Sequence, residues 1–249
     1  MKDVHDLRTR ARRLETIIAA YMPDTQKRNR RLLKTLKPVC KAAGAVRDMD
    51  VLTAKARALA GRRHDDSLAL LLEHLQAMRI ESAAKLFESV ARHGKDACRS
   101  LKDYSNQIEG RFKRKDSRRA AKTTGNQLHA NAANKLMDEL SRWPTLNAEN
   151  LHAFRIKVKK LRIVLQLAED ANPDFTDALE KVKEQIGDWH DWQELKKIAE
   201  AVLDPRKDHT VLEEIEEMER RMFKQALTCA QTMRRVYLGA YSGFTIAEP

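Results

Sequence analysis

Ten residues near the start of the chain recur, without a gap, 147 positions later. His5-Asp6-Leu7-Arg8-Thr9-Arg10-Ala11-Arg12-Arg13-Leu14 aligns with His152-Ala153-Phe154-Arg155-Ile156-Lys157-Val158-Lys159-Lys160-Leu161, and each basic residue of the first copy meets a basic residue in the second. A second element follows each copy. Gly44-Ala45-Val46-Arg47-Asp48, with Leu52 beyond, matches Gly187-Asp188-Trp189-His190-Asp191, with Leu195 beyond, at an offset of 143. Duplicated elements in a kept order predict two similar halves within one domain of 249 residues, one over 1–122 and the other over 123–249.

Those halves read as helical throughout. Only 8 Gly and 6 Pro punctuate the chain, long stretches are rich in strong helix formers, and no alternating β-branched run argues for a sheet. Helices are predicted over Asp3–Tyr21, Thr25–Ala43, Asp48–Ala60, Asp66–His93 and Lys95–Lys122, the last with a break near Gly110. Further helices are predicted over Asn126–Ser141, Asn150–Ala171, Asp174–Ile186, Asp191–Leu203 and Asp208–Gly239. Pro23, Gly44, Gly61, Pro144, Pro173, Gly187 and Pro205 fall between these segments as breakers. Asp48 and Asp191, each just after such a glycine, read as helix N-caps, and Glu194 completes a capping box for Asp191. The expected fold class is an all-α bundle.

On a helical wheel, Leu7, Ala11, Leu14 and Ile18 form a core stripe, while His5, Arg8 and Arg12 share another face flanked by Arg13. In the second copy Phe154, Val158, Leu161 and Leu165 take the stripe. There His152, Arg155 and Lys159 take the basic face, flanked by Lys160. The next helix of the first half repeats the arrangement, with Lys27, Arg30, Arg31 and Lys34 on one side and Leu32, Leu33, Leu36 and Val39 elsewhere. Runs of charge are ordinarily solvated faces. These are one-signed, however, and like charges at such spacing repel by a few tenths of a kcal/mol per pair, which about one bound anion would offset.

The charge balance points the same way. The formal net charge is +12, and residues 1–63 hold 17 Lys/Arg against 6 Asp/Glu, whereas residues 151–249 hold 16 against 18. A field concentrated in one part of the chain suggests an anionic partner: nucleic acid, an acidic membrane surface or a phosphate polymer. No 18-residue apolar run exists to span a membrane, and charges interrupt every apolar stretch of a would-be leader. Three scattered cysteines (Cys40, Cys98, Cys229) make neither a disulfide framework nor a zinc set, so a reduced, cytosolic compartment is expected. Binders of single-stranded nucleic acid stack bases on aromatic side chains. Aromatics are 5% of this chain and none lies on a basic face, so a polymer of phosphate without bases fits better. Its phosphates would accept charge-assisted hydrogen bonds from Arg and Lys.

His-x-x-Arg-x-x-x-Arg-Arg-Leu opening a helix, then Gly-x-x-Arg-Asp-x-Asp-Val-Leu, then a second copy of both, resembles the CHAD domain (conserved histidine α-helical domain). The resemblance implies a pseudo-twofold pair of helical bundles around a basic cavity that binds inorganic polyphosphate, with association to polyphosphate granules. It implies ligand-facing roles for His5, Arg8, Arg12 and Arg13, and for His152, Arg155, Lys159 and Lys160, with Arg47 and Arg162 alongside. Three departures weaken parts of the pattern. Glu15 stands where the family usually carries a basic residue, which the second copy keeps as Arg162. Lys159 and Lys160 replace arginines and lose the planar fork. His190 stands where Arg47 stands in the first copy. The first half is therefore expected to be the stronger site. Histidines donating to phosphate in their charged form would make binding strengthen as pH falls through about 6.5.

Other readings are weaker. Trp189 and Trp192 read as packing residues, and the basic run Arg111–Lys122 reads either as a solvated linker or as an added lip on the groove. His64-Asp65 and His190-Asp191 are pairs that a metal-dependent phosphohydrolase would use, but no further His and Asp supply a ligand set. Glu217-Met218-Glu219-Arg220-Arg221 is the nearest string to the Glu-x-Glu-x-Lys strand of tunnel triphosphatases, and it lies in a helical run. No catalytic residue, metal or cofactor is expected. A nucleic-acid-binding or scaffold role is the alternative to polyphosphate binding.

Overall fold

The computed structural model describes residues 2–21, 26–60, 66–112, 130–167 and 171–239. Its helices in chain order are α1 (Lys2–Tyr21), α2 (Gln26–Ala60), α3 (Asp66–Phe112), α4 (residues 130–141), α5 (Leu151–Leu165), α6 (Pro173–Val202) and α7 (His209–Tyr237). No strand occurs among the described residues, so the chain is all-α. No described helix is long and apolar enough to cross a membrane.

Three predicted helix breaks are absent. α2 runs straight through Gly44, α3 through Gly94, and α6 through Gly187. One glycine inside a helix costs only about 1 kcal/mol relative to alanine, and buried packing on both sides outweighs it. In α2, Leu36, Val39 and Ala43 before the glycine and Val46, Leu52 and Ala56 after it are all buried. In α6, Val182 and Ile186 lead into Trp189, Trp192 and Leu195, again all buried. Asp48 and Asp191 therefore sit in mid-helix and not at helix N-termini. Among the described residues the breakers that hold are prolines; Pro23 and Gly61 lie outside them. Pro144 lies in the loop after α4 and Pro205 in the turn before α7. Pro173 occupies the first position of α6 behind Asn172, whose Oδ1 accepts the Phe175 N–H at 3.1 Å.

The chain divides into two compact units. The first gathers Met1–Leu128 with Asp191–Ile215, and the second His129–His190 with Glu216–Pro249. In the first unit α2 packs against both α1 and α3. Ile18, Leu32, Leu36 and Ala97 form a buried cluster there, with Leu14, Leu33, Cys40 and Tyr104 against it. The predicted α1 stripe is thus buried at its C-terminal end only. Leu7 is 37% exposed, whereas Leu14 and Ile18, nearer the end of α1, pack with Leu32 and Leu36 of α2. Lys55 lies over the Trp192 ring at 5.1 Å. The Ser67 hydroxyl donates to Asp208 Oδ1 at 2.6 Å, and the Asp204 N–H donates to its other oxygen. Together they hold the Asp208 carboxyl below the usual carboxylate range.

In the second unit the α5 stripe is buried as predicted, with Phe154, Val158 and Leu161 fully enclosed. Trp143 meets Phe154 edge-on at 5.7 Å. Arg234 of α7 reaches back to donate to the Trp143 carbonyl at 2.6 Å and the Ser141 carbonyl at 3.1 Å. Trp189 is buried, as expected of a packing residue; its Nε1–H donates to Glu219 Oε1 at 2.6 Å, and its ring lies 5.3 Å from that of Phe223.

Candidate functional site

The polar side of α5 lies against α6, and three contacts fix the register. Arg162 pairs with Glu180 at 2.7 Å, a charge contact whose Nε–H is not aimed at the oxygen. Arg155 donates from Nε to the Lys183 carbonyl at 2.9 Å and lies over Gly187. The rings of His152 and His190 are 4.5 Å apart at a tilt of 35°. Each step back along α5 is matched by an equal step forward along α6, as two antiparallel helices require. The span from His152 to Arg162 covers about 15 Å at 1.5 Å per residue.

Gly187 is the hinge of this arrangement for a steric reason. Its backbone is ordinary helix, but a Cβ there would lie 2.8 Å from Arg155 Nη2 and 3.3 Å from both Cζ and Nε. Only a residue without a side chain lets the guanidinium lie flat on α6. The sequence signal for this was already present. A glycine that recurs in both copies, in kept order behind a recurring arginine, marks a close approach and not a break. Gly187→Ala is expected to leave stability nearly unchanged, because up to about 1 kcal/mol of helix propensity offsets the displaced Arg155 hydrogen bond. Affinity for inorganic polyphosphate, the ligand that the sequence resemblance implies, should fall several-fold in the same protein. Thermal melts and a binding titration read the two effects separately, and an unchanged affinity would remove Arg155 from the ligand's contacts.

Around this seam the predicted residues take different positions. Lys159 is half-buried on the same side of α5 as Arg155, and Lys160 is exposed further round the helix. Arg162 is engaged with Glu180, which Lys183 also meets. Lys157 pairs with Glu139 of α4 at 2.5 Å. In the first unit, Arg13 on α1 and Lys34 on α2 are exposed, and Arg47 on α2 is half-buried. The side chains of His5, Arg8, Arg12, Lys27, Arg30 and Arg31 lie outside the described residues, as does the basic run from 113 to 122. Sequence reasoning had left His190, Glu180 and the Lys183 carbonyl out of the site; the antiparallel register brings them in.

A separate hollow of 760 Å³ opens between α6 and α7, lined by Ala178, Lys181, Gln185, Cys229, Met233 and Tyr237 among others. Burial pushes the Cys229 thiol up, against the pull of Lys181. With two lysines on a largely apolar wall, it lacks the density of cations that a phosphate chain needs. No group of three or more His, Cys, Asp or Glu among the described residues is placed to hold a metal ion.

Comparison with known proteins gives one match. The family model of the CHAD domain covers residues 1–200. No curated protein and no solved structure matches the chain.

Proposed function

From the premise that this chain belongs to the CHAD domain family, we propose that it binds inorganic polyphosphate along its repeated basic helix faces and does not turn it over. The family is associated with polyphosphate binding in general. For this chain, the observation that carries the reading is the guanidinium of Arg155, held flat against Gly187 by the Lys183 carbonyl on a helix whose basic face is duplicated at His5–Arg13. An arginine fixed in this way loses less side-chain entropy on meeting a phosphate than one that must be ordered by it. The neighbouring Lys159 and Lys160 add point charges along the same helix, and the first half adds Arg8, Arg12 and Arg13 with Lys27, Arg30, Arg31 and Lys34. Arg47 and His190 occupy matched positions in the two halves, so each half sets one more cationic or donor group beside its glycine. Binding of this kind would bring the protein to polyphosphate granules.

The test is a competition. Long-chain polyphosphate, single-stranded DNA and duplex DNA of matched total charge are titrated into the purified protein at rising salt. Polyphosphate should retain binding at salt concentrations where both DNAs have dissociated, with log K falling linearly in log salt. Preference for either DNA would overturn the reading in favour of a nucleic-acid binder. Release of orthophosphate on adding a divalent metal would overturn the absence of turnover.

A further inference from the structure

α3 carries a second apolar face that is exposed among the described residues. The helix packs on α2 along one side, through Leu68, Leu71, Leu75 and Ala97, all buried. Roughly a third of a turn away, Ile80 is 59% exposed, Phe87 77% and Val90 45%, and Leu101 continues the line at 36%. Ile80, Phe87, Gly94 and Leu101 follow one another at intervals of seven, and Ala83, Ala84 and Ala91 fill the spaces between them. Three heptads in sequence, about 32 Å at 1.5 Å per residue, are the pattern of a helix that pairs with another helix.

We propose that this face pairs with the same face of a second copy of the chain, antiparallel, about a two-fold axis at Phe87. Two features of the face choose the partner. The first is Gly94. It lies inside a helix at a cost of about 1 kcal/mol, yet a Cβ there would meet only Val90 Cγ1, at an ordinary 3.4 Å. Among the described residues nothing requires a glycine at this position. An axis at Phe87 sets Ile80 of one copy over Gly94 of the other, so the largest aliphatic of the seam fills the space the glycine leaves, twice per dimer. The same axis sets Ala84 over Val90 and Ala83 over Ala91, small residues again facing larger or equal ones.

The second feature is charge. Along one flank of the seam, exposed Glu81 precedes exposed Lys95 and Lys102. In an antiparallel pair like flank faces like flank, so Glu81, which also pairs with Lys85 of its own helix, meets Lys95, in both directions. A parallel pair would set each glutamate against its own copy. Glu88, close to the axis, has Arg92 one turn on to offset it. The interface is self-complementary in shape and in sign, as an isologous dimer requires.

Sedimentation velocity without polyphosphate tests the proposal. At tens of micromolar the protein should sediment at twice its 28.6 kDa protomer mass. Phe87→Glu, at a position too exposed to affect folding, should give the protomer mass with an unchanged helical spectrum and unchanged polyphosphate affinity. Gly94→Leu should raise the dimer Kd at least tenfold. Glu81→Lys and Lys95→Glu should each raise it several-fold, and the two together should restore it, which only the antiparallel register predicts. A wild-type protein that remains at protomer mass at ~100 μM would overturn the proposal, as would a dimer indifferent to Phe87→Glu; a charge exchange that restores nothing would overturn the register. None of these readings depends on polyphosphate, so the dimer and the ligand stand or fall separately.

Discussion

Arg12→Ala combined with Arg13→Ala is expected to weaken binding of long-chain polyphosphate by about a hundredfold to ten-thousandfold. Hydrogen bonds to charged partners are worth about 1.5–3 kcal/mol each, and two of them are removed at adjacent positions of the first basic face. The slope of log K against log salt should fall by roughly one to two, since two counterions fewer are released. Arg79→Ala removes the same charge from a different place. Arg79 donates from Nε to Asp50 Oδ1 at 2.6 Å, on the side of α3 that faces α2, so its loss should register in stability and leave affinity near wild type. Isothermal titration of the double variant, of Arg79→Ala and of the parent at three salt concentrations distinguishes a positioned site from a general loss of positive charge. Equal losses in the two variants would mean that the site has been misplaced.

The largest effect on stability is expected at Trp189. The side chain is 1% exposed, lies 5.3 Å from Phe223 and donates to Glu219 at 2.6 Å, so it joins α6 to α7 by packing and by a polar contact at once. Trp189→Ala leaves a cavity the size of an indole and should cost about 3–5 kcal/mol. Trp189→Phe keeps much of the packing and loses mainly the donor, for about 1–3 kcal/mol, since the Glu219 carboxylate then loses a charge-assisted partner. Urea unfolding followed by far-ultraviolet circular dichroism measures both. Its counterpart in the first half is Val46, also buried, which is why the duplication marks the position as core even though the residue types differ.

Some of the architecture could be read along the chain, and some was read wrongly for a definite reason. The helical wheel found the enclosed stripe of α5 at Phe154, Val158 and Leu161, because a 3.6-residue period is a local property. It overstated the stripe of α1, where Leu7 is exposed, because a wheel says which face is apolar and not how far along the helix a neighbour extends. On composition Gly44 and Gly187 read as helix ends. Whether a glycine ends a helix depends on what packs before and after it, and in both helices buried residues continue across the position. Glu15 shows the converse. It departs from the family pattern, and its counterpart Arg162 pairs with Glu180; the residue matching Glu180 in the first half is Lys37, so both signs of that pair are exchanged together. The exchange is written in the sequence, but only the register of α5 on α6 says which two positions to compare.

By itself, the order of residues determined that this chain is helical, that two of its sequence elements recur in order, and which family it resembles; matched faces of positive charge are what it predicts. Helicity and recurrence follow from short-range periodicity and from comparing the chain with itself, and the resemblance rests on the recurring motifs. Only the tertiary structure decided what the glycines do, which cations are tied to carboxylates, and that an arginine is laid flat on a neighbouring helix. Those depend on which helices approach and at what register, and an approach of 2.8 Å between a guanidinium and the place a methyl would occupy has no local signature in either helix.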